Sequence, residues 1–95
     1  MIETNDKILL DKWYDMIENN EIHGKEKVYS AQDFSTRDGM WNVWVAYVYY
    51  VDKIGKYVTE QLLENPSWTE TQRVDFFDSE NEAKRVALEW LWYKI

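Results

Sequence analysis

The sequence predicts a single α+β domain over residues 1–95: an N-terminal helix, an antiparallel sheet of three to four strands, and a C-terminal helix. Three observations predict it. Apolar residues recur at helical spacing near the N-terminus, a twelve-residue run from Met40 to Val51 is apolar on both faces of a strand, and a capping box precedes the C-terminal segment. A 95-residue chain that is 45% hydrophobic is large enough to form one core.

The first helix is predicted by apolar residues that recur at helical spacing up to about Asn19, namely Leu9, Leu10, Trp13, Met16 and Ile17. Either Thr4 or Asn5 can cap its N-terminus, because both side chains accept hydrogen bonds from the first free amides. Gly24 breaks this pattern, and an alternating stretch over about residues 27–34 then predicts the first strand.

The long apolar run from Met40 to Val51 is predicted to form the second strand, joined to the first by a hairpin turn at Asp38-Gly39. Because both of its faces are apolar, this strand needs cover above and below. Residues 57–64 fit either strand or helix. After a turn at Asn65-Pro66, residues 68–77 alternate and predict a further strand.

The final helix is predicted by the capping box from Ser79 to Glu82. Its apolar stripe is broad and comprises Ala83, Val86, Ala87, Trp90 and Leu91, widened by Leu88, Trp92 and Tyr93. Both helices are expected on one sheet face, which leaves the other face for a partner or a second copy of the chain. The candidate residues for self-association are Trp44, Tyr50, Trp68 and Trp92.

The composition disfavours several classes of function. Eighteen acidic residues against eleven basic ones give a net charge of −7, which repels nucleic acid and anionic membranes. The chain has no cysteine, one histidine (His23) and only three scattered glycines, so thiolate metal sites and phosphate-binding glycine loops are not expected. We therefore expect no catalysis and no cofactor. With no apolar leader and no apolar run long enough to span a membrane, a cytoplasmic location is expected.

The acidic residues are candidates for binding a basic partner. Asp11, Asp15 and Glu18 fall at i, i+4 and i+7, so they form a line on the first helix with about 6 Å per step, similar to a row of phosphates. Lys7 and Lys12 could instead pair with these acids and make an ordinary solvated face. Further candidates lie in the second half of the chain: Glu60, Glu64, Glu70, Asp75, Asp78, Glu80 and Glu82.

The order helix, strands, helix resembles that of a double-stranded RNA-binding domain. In that family the second helix begins with basic residues, whereas residues 79–83 here are acidic, so RNA binding is not expected. In size, charge and layout the chain also resembles small acidic phage proteins that inhibit bacterial defence nucleases, namely anti-restriction DNA mimics and anti-CRISPR proteins. This resemblance implies a non-enzymatic inhibitor in a host cytoplasm, whose carboxylates replace phosphates in the basic DNA channel of a nuclease.

Two other functions fit the same composition. A toxin-neutralising immunity protein or antitoxin would share the acidity and the size, but would bind the active site of a toxin. A structural or regulatory subunit would bind mainly through its Trp and Tyr residues, so its association would survive high salt. A small enzyme ranks behind both alternatives.

Overall fold

A computed structural model describes residues 2–22, 27–37 and 40–94. Over these residues it contains five strands and two helices, and the bounds of each element follow in chain order: β1 (Glu3–Thr4), α1 (Lys7–Glu18), β2 (Tyr29–Arg37), β3 (Met40–Val51), β4 (Lys56–Glu64), β5 (Thr69–Phe77) and α2 (Glu80–Lys94). The fold is therefore α+β, as the sequence predicts. His23, Gly24 and the predicted turn at Asp38-Gly39 lie outside the described residues.

The strands form one mixed sheet in the order β1-β5-β4-β3-β2. Strands β2 to β5 are a continuous antiparallel meander, and β1 pairs with β5 in parallel. The prediction of three to four antiparallel strands is therefore wrong in its strand count and in the direction of β1. This strand is too short to produce a periodic pattern in the sequence. Asn5 extends the pairing, because its side chain bonds both the N–H and the C=O of Phe76 at 2.9 Å.

Residues 57–64, whose sequence fits either strand or helix, form a strand. Lys56–Glu64 pairs with β3 on one side and with β5 on the other, so its backbone groups are satisfied by the sheet. The hairpin pairing of β2 with β3 begins at Arg37 opposite Met40. The pairing of β4 with β5 carries a bulge between Gln61 and Leu62.

The two helices pack on opposite faces of the sheet. Tyr49 and Val51 of β3 belong to the core cluster of α1, which also contains Leu10, Trp13 and Met16. Ala46 and Val48 belong to the cluster of α2, which also contains Ala83, Ala87 and Leu91. Because successive side chains of a strand point to opposite faces, the expectation that both helices share one face is wrong. The two apolar faces of β3 are each covered by a helix of the same chain.

The helix starts are defined by side-chain caps. Asp6, and not Thr4 or Asn5, caps α1, since its Oδ1 accepts from the amides of Ile8 and Leu9 at 3.1 Å each. At α2 the Oγ of Ser79 accepts from the amide of Glu82 at 3.3 Å, as the predicted capping box requires.

Candidate functional site

The acidic line on α1 faces away from the core. Asp11, Asp15 and Glu18 are exposed, whereas the buried residues of α1 lie on the opposite side of the helix. Neither Lys7 nor Lys12 forms an ion pair with these acids, and among the described side chains none of the three carboxylates has an ion-pair partner. The three charges are therefore free to meet a partner.

Two of the predicted acidic residues are not on the surface. Glu60 is 4% exposed and Asp75 is 2% exposed, so neither carboxylate can present charge to a large partner. The strand register explains their burial: Glu60 lies beside Tyr47 on the α1 face, and Asp75 lies beside Thr59 on the α2 face. Both residues are removed from the predicted acidic surface.

The remaining acidic residues differ in how far they are neutralised. Asp78 pairs with Lys56, and Glu80 pairs with Lys84 one turn further along α2. Glu64 accepts a hydrogen bond from the Tyr47 hydroxyl at 3.1 Å. Two more, Glu70 and Glu82, are exposed and have no ion pair with a described side chain. The free acidic surface thus centres on α1.

The aromatic residues predicted for self-association do not form one surface. Trp44 is half-buried against Trp90, with ring centroids 5.7 Å apart, so it belongs to the α2 core and not to a free face. Tyr50 and Trp68 are exposed at opposite ends of the sheet, since Tyr50 pairs near the start of β4 and Trp68 follows its end. Trp92 is 78% exposed on α2.

A cleft of about 510 Å³ lies between α2 and the β1–β5 edge of the sheet. It exists because α2 packs mainly on β3 and β4 and covers the far edge only in part. Gln61, Arg73 and Asp75 line it from the sheet, and Trp90 and Tyr93 line it from α2. We refer to it as the α2 cleft.

Comparisons with protein-family models, with curated proteins and with solved structures found no match to this chain. In the part of the chain that the structure describes, no helix has the length and apolar character to cross a membrane. Within the same residues, no three His, Asp or Glu side chains converge as a metal site would require.

The charges in the α2 cleft form a connected group. Arg73 Nε donates to Asp75 Oδ2 at 2.7 Å, and its Nη1 donates to Glu3 at 2.9 Å. The hydrogen bond with Asp75 is the main reason that the pKa of Arg73 is raised above its ordinary value. The second oxygen of Asp75 and both polar atoms of the Gln61 amide have no hydrogen-bond partner.

Sequence reasoning did not select Gln61 or Arg73. Gln61 lies between Val58 and Leu63, in a strand whose other residues are mostly apolar or buried. A long polar side chain at such a position needs an explanation. That signal was readable only once residues 57–64 were known to be a strand with two covered faces. Arg73 carried no signal, because alternation predicted only that its side of β5 was polar.

A second groove, of about 420 Å³, follows the α1 face of the sheet beside Tyr47. Lys27 Nζ lies 4.6 Å from the centroid of the Tyr47 ring, a cation–π contact. Burial, followed by the charge of Glu64, raises the pKa of Tyr47 to about 12. Burial, followed by the charge of Glu60, raises the pKa of Tyr49. Both phenols are therefore held in their protonated form.

Proposed function

We propose that this chain is a non-enzymatic inhibitor of a DNA-handling protein, and that it occupies the basic DNA-binding surface of a bacterial restriction or CRISPR nuclease. The observation that carries the proposal is the exposed line of Asp11, Asp15 and Glu18 on α1, which has no ion pair with the described side chains. Carboxylates at this spacing offer a basic groove a row of negative charges in place of phosphates.

The position of the line on α1 supports this role. The opposite side of the helix is fixed to the sheet by Leu10, Trp13 and Met16, so the carboxylates project from a rigid support. Docking would therefore require little rearrangement of the backbone. A net charge of −7 adds long-range attraction toward a positive channel, and this attraction weakens as salt is added.

The extent of the proposed surface is narrower than the acidic residues of the sequence suggest. Glu70, at the start of β5, and Glu82, in the first turn of α2, are exposed and have no ion pair with a described side chain, but they stand outside the line on α1. Asp78 and Glu80 contribute less, since Lys56 and Lys84 offset their charge. We therefore assign the strongest attraction to α1.

Two triple variants test the proposal. One carries Asp11→Asn, Asp15→Asn and Glu18→Gln on α1. The matched control carries Asp78→Asn, Glu80→Gln and Glu89→Gln, which neutralise carboxylates already paired with Lys56, Lys84 and Arg85. Each triple variant removes three negative charges, so any difference between the two reflects the position of the charges and not the net charge.

The measurement is capture of partners by the tagged protein from bacterial lysate, at low salt and at about 1 M salt, where the Debye length is about 3 Å. We expect a DNA-handling protein at low salt, lost at high salt and displaced by added DNA. The α1 variant should lose this partner and the control variant should keep it. Equal capture by both variants would place the contact elsewhere and contradict the role of α1.

A second candidate function, that of a structural or regulatory subunit, is favoured by exposed apolar side chains on α2. Trp92 is 78% exposed and Leu88 is half exposed one turn before it, so the two form a continuous apolar strip. An interface built on this strip, with another protein or with a second copy, would survive 1 M salt. Trp92→Ser should abolish such an association and leave capture through α1 intact.

A further inference from the structure

The floor of the α2 cleft contains buried polar atoms without partners. The Gln61 side chain is fully buried and neither Nε2 nor Oε1 has a hydrogen-bond partner, while Asp75, 2% exposed, has an unpartnered Oδ1. More than nine-tenths of buried polar groups in folded proteins are paired. Three such atoms on two side chains that line the same cleft are therefore an arrangement that folding alone does not explain.

The three atoms lie near one another in the sheet. Gln61 is directly opposite Arg73, and Asp75 is two residues further along β5, so Gln61 and Asp75 are diagonal neighbours on the α2 face. The bulge between Gln61 and Leu62 falls beside the cleft, and bulges commonly redirect a side chain next to a binding site. A cleft of about 510 Å³ is within the size range of small-molecule sites.

The chemistry of these atoms defines their complement. The Gln61 amide supplies N–H donors beside one acceptor, and Asp75 Oδ1 supplies a second acceptor, so a matching ligand presents two N–H groups and one acceptor along its edge. Gln recognises adenine in this way, because its side-chain amide pairs with an exocyclic amino group and with the ring nitrogen next to it. We infer that the α2 cleft binds a small planar nitrogen heterocycle with an exocyclic amino group.

The walls and charges of the cleft restrict this ligand further. Phe77 and Trp90 line it with aromatic rings, on which a planar heterocycle can stack. Three carboxylates (Glu3, Asp75 and Glu89) line it, whereas only two guanidinium groups pair with them, Arg73 with the first two and Arg85 with Glu89. This excess of negative charge repels phosphate, so the ligand is a free base or nucleoside, uncharged or cationic, and not a nucleotide.

Access to the floor requires a small displacement within the cleft, since the Gln61 amide is closed off from solvent. Tyr93, in the last turn of α2, lines the cleft and is 85% exposed, so its ring does not cover the floor and leaves the mouth open to a ligand. Its ring can then close over the bound heterocycle. The site is separate from α1, and the inference does not depend on the proposed inhibition of a DNA-handling protein.

The test is a titration of the ¹⁵N-labelled chain, followed by NMR. Adenosine and cytidine carry the amino group, uridine lacks it, and adenosine monophosphate adds the charge. The chain has only three glutamines, so the side-chain amide of Gln61 can be assigned by substitution. We expect its resonances and the Trp90 indole to shift with adenosine or cytidine, and less with the monophosphate. No shift at millimolar adenosine or cytidine, or equal shifts with uridine, would overturn the inference.

Two substitutions separate binding from structure. Gln61→Leu removes the unpartnered amide, so it should raise Tm while weakening nucleoside binding at least about tenfold. Gln32→Leu is the matched control, because Gln32 lies on β2 at the opposite edge of the sheet, three strands from β5, and binding should be unchanged. If Gln61→Leu fails to fold, Asp75→Asn tests the same prediction through the other acceptor. Unchanged binding in a folded Gln61→Leu or Asp75→Asn variant would overturn it.

Discussion

Arg73 Nε lies 2.7 Å from Asp75 Oδ2. The two residues are two positions apart on β5, so their side chains share its α2 face. The carboxylate is buried while the guanidinium is about one-third exposed. Arg73 also reaches Glu3 on β1, so one side chain links the buried acid to the parallel edge strand. Arg73 thus supplies the cationic partner of a buried carboxylate.

We predict that Arg73→Met lowers the free energy of unfolding by about 3 kcal/mol, because it leaves the buried Asp75 carboxylate without its cationic partner. Urea denaturation measures this change. Glu3→Gln is the control: Glu3 is exposed, so removing its charge should cost less than about 1 kcal/mol. Similar losses of unfolding free energy in Arg73→Met and Glu3→Gln would contradict the prediction that the buried Asp75 carboxylate makes the loss of Arg73 costly.

The cap of α1 gives a second prediction. Asp6→Ala should lower the free energy of unfolding by about 1 kcal/mol, since it removes the acceptor for the amides of Ile8 and Leu9. Asp6→Asn keeps a capping oxygen and should change stability by no more than about 0.3 kcal/mol. Thermal or urea unfolding of both variants measures the difference, and equal losses would contradict a capping role for Asp6.

Part of this fold could be predicted from the sequence because its signals are local. The apolar run that predicted a strand from Met40 to Val51 has the bounds of β3, and Ser79 accepts from Glu82 as its spacing predicted. The cap of α1 was misplaced by one or two residues, because Thr4, Asn5 and Asp6 are all good caps and only the backbone path selects among them.

The errors concern long-range placement. β1 has two residues, and its pairing with β5 is accompanied by the Asn5 contacts with Phe76, about seventy residues away. The apolar character of both faces of β3 fits two helices of this chain, but it fits equally well one helix and one partner protein. Which helix covers which face depends on the path of the chain, and periodicity carries no information about that path. The α2 cleft is missed for the same reason.

A third prediction concerns alkaline pH. The pKa of Tyr47 is about 12 in the folded protein, above its ordinary value of 10, so the folded state holds this proton more tightly than the unfolded state. The resulting stabilisation is complete below pH 10 and is lost as the pH rises toward 12. In Tyr47→Phe the free energy of unfolding should fall less steeply over this interval than in the wild type. Urea denaturation at closely spaced pH values measures both slopes, and identical slopes would contradict the prediction.

The last prediction separates core from surface tryptophans. Trp13 is fully buried on α1, with its ring centroid 6.0 Å from that of Tyr49, so Trp13→Ala should cost about 3–5 kcal/mol. A small domain has about 5–15 kcal/mol in total, so this variant should be partly unfolded at moderate temperature. Trp92→Ala removes an equally large side chain from an exposed position and should change stability by less than about 0.5 kcal/mol. Circular dichroism during thermal unfolding compares them. A large loss in Trp92→Ala would mean that a self-associated form contributes to the measured stability, and its dependence on protein concentration would reveal that form.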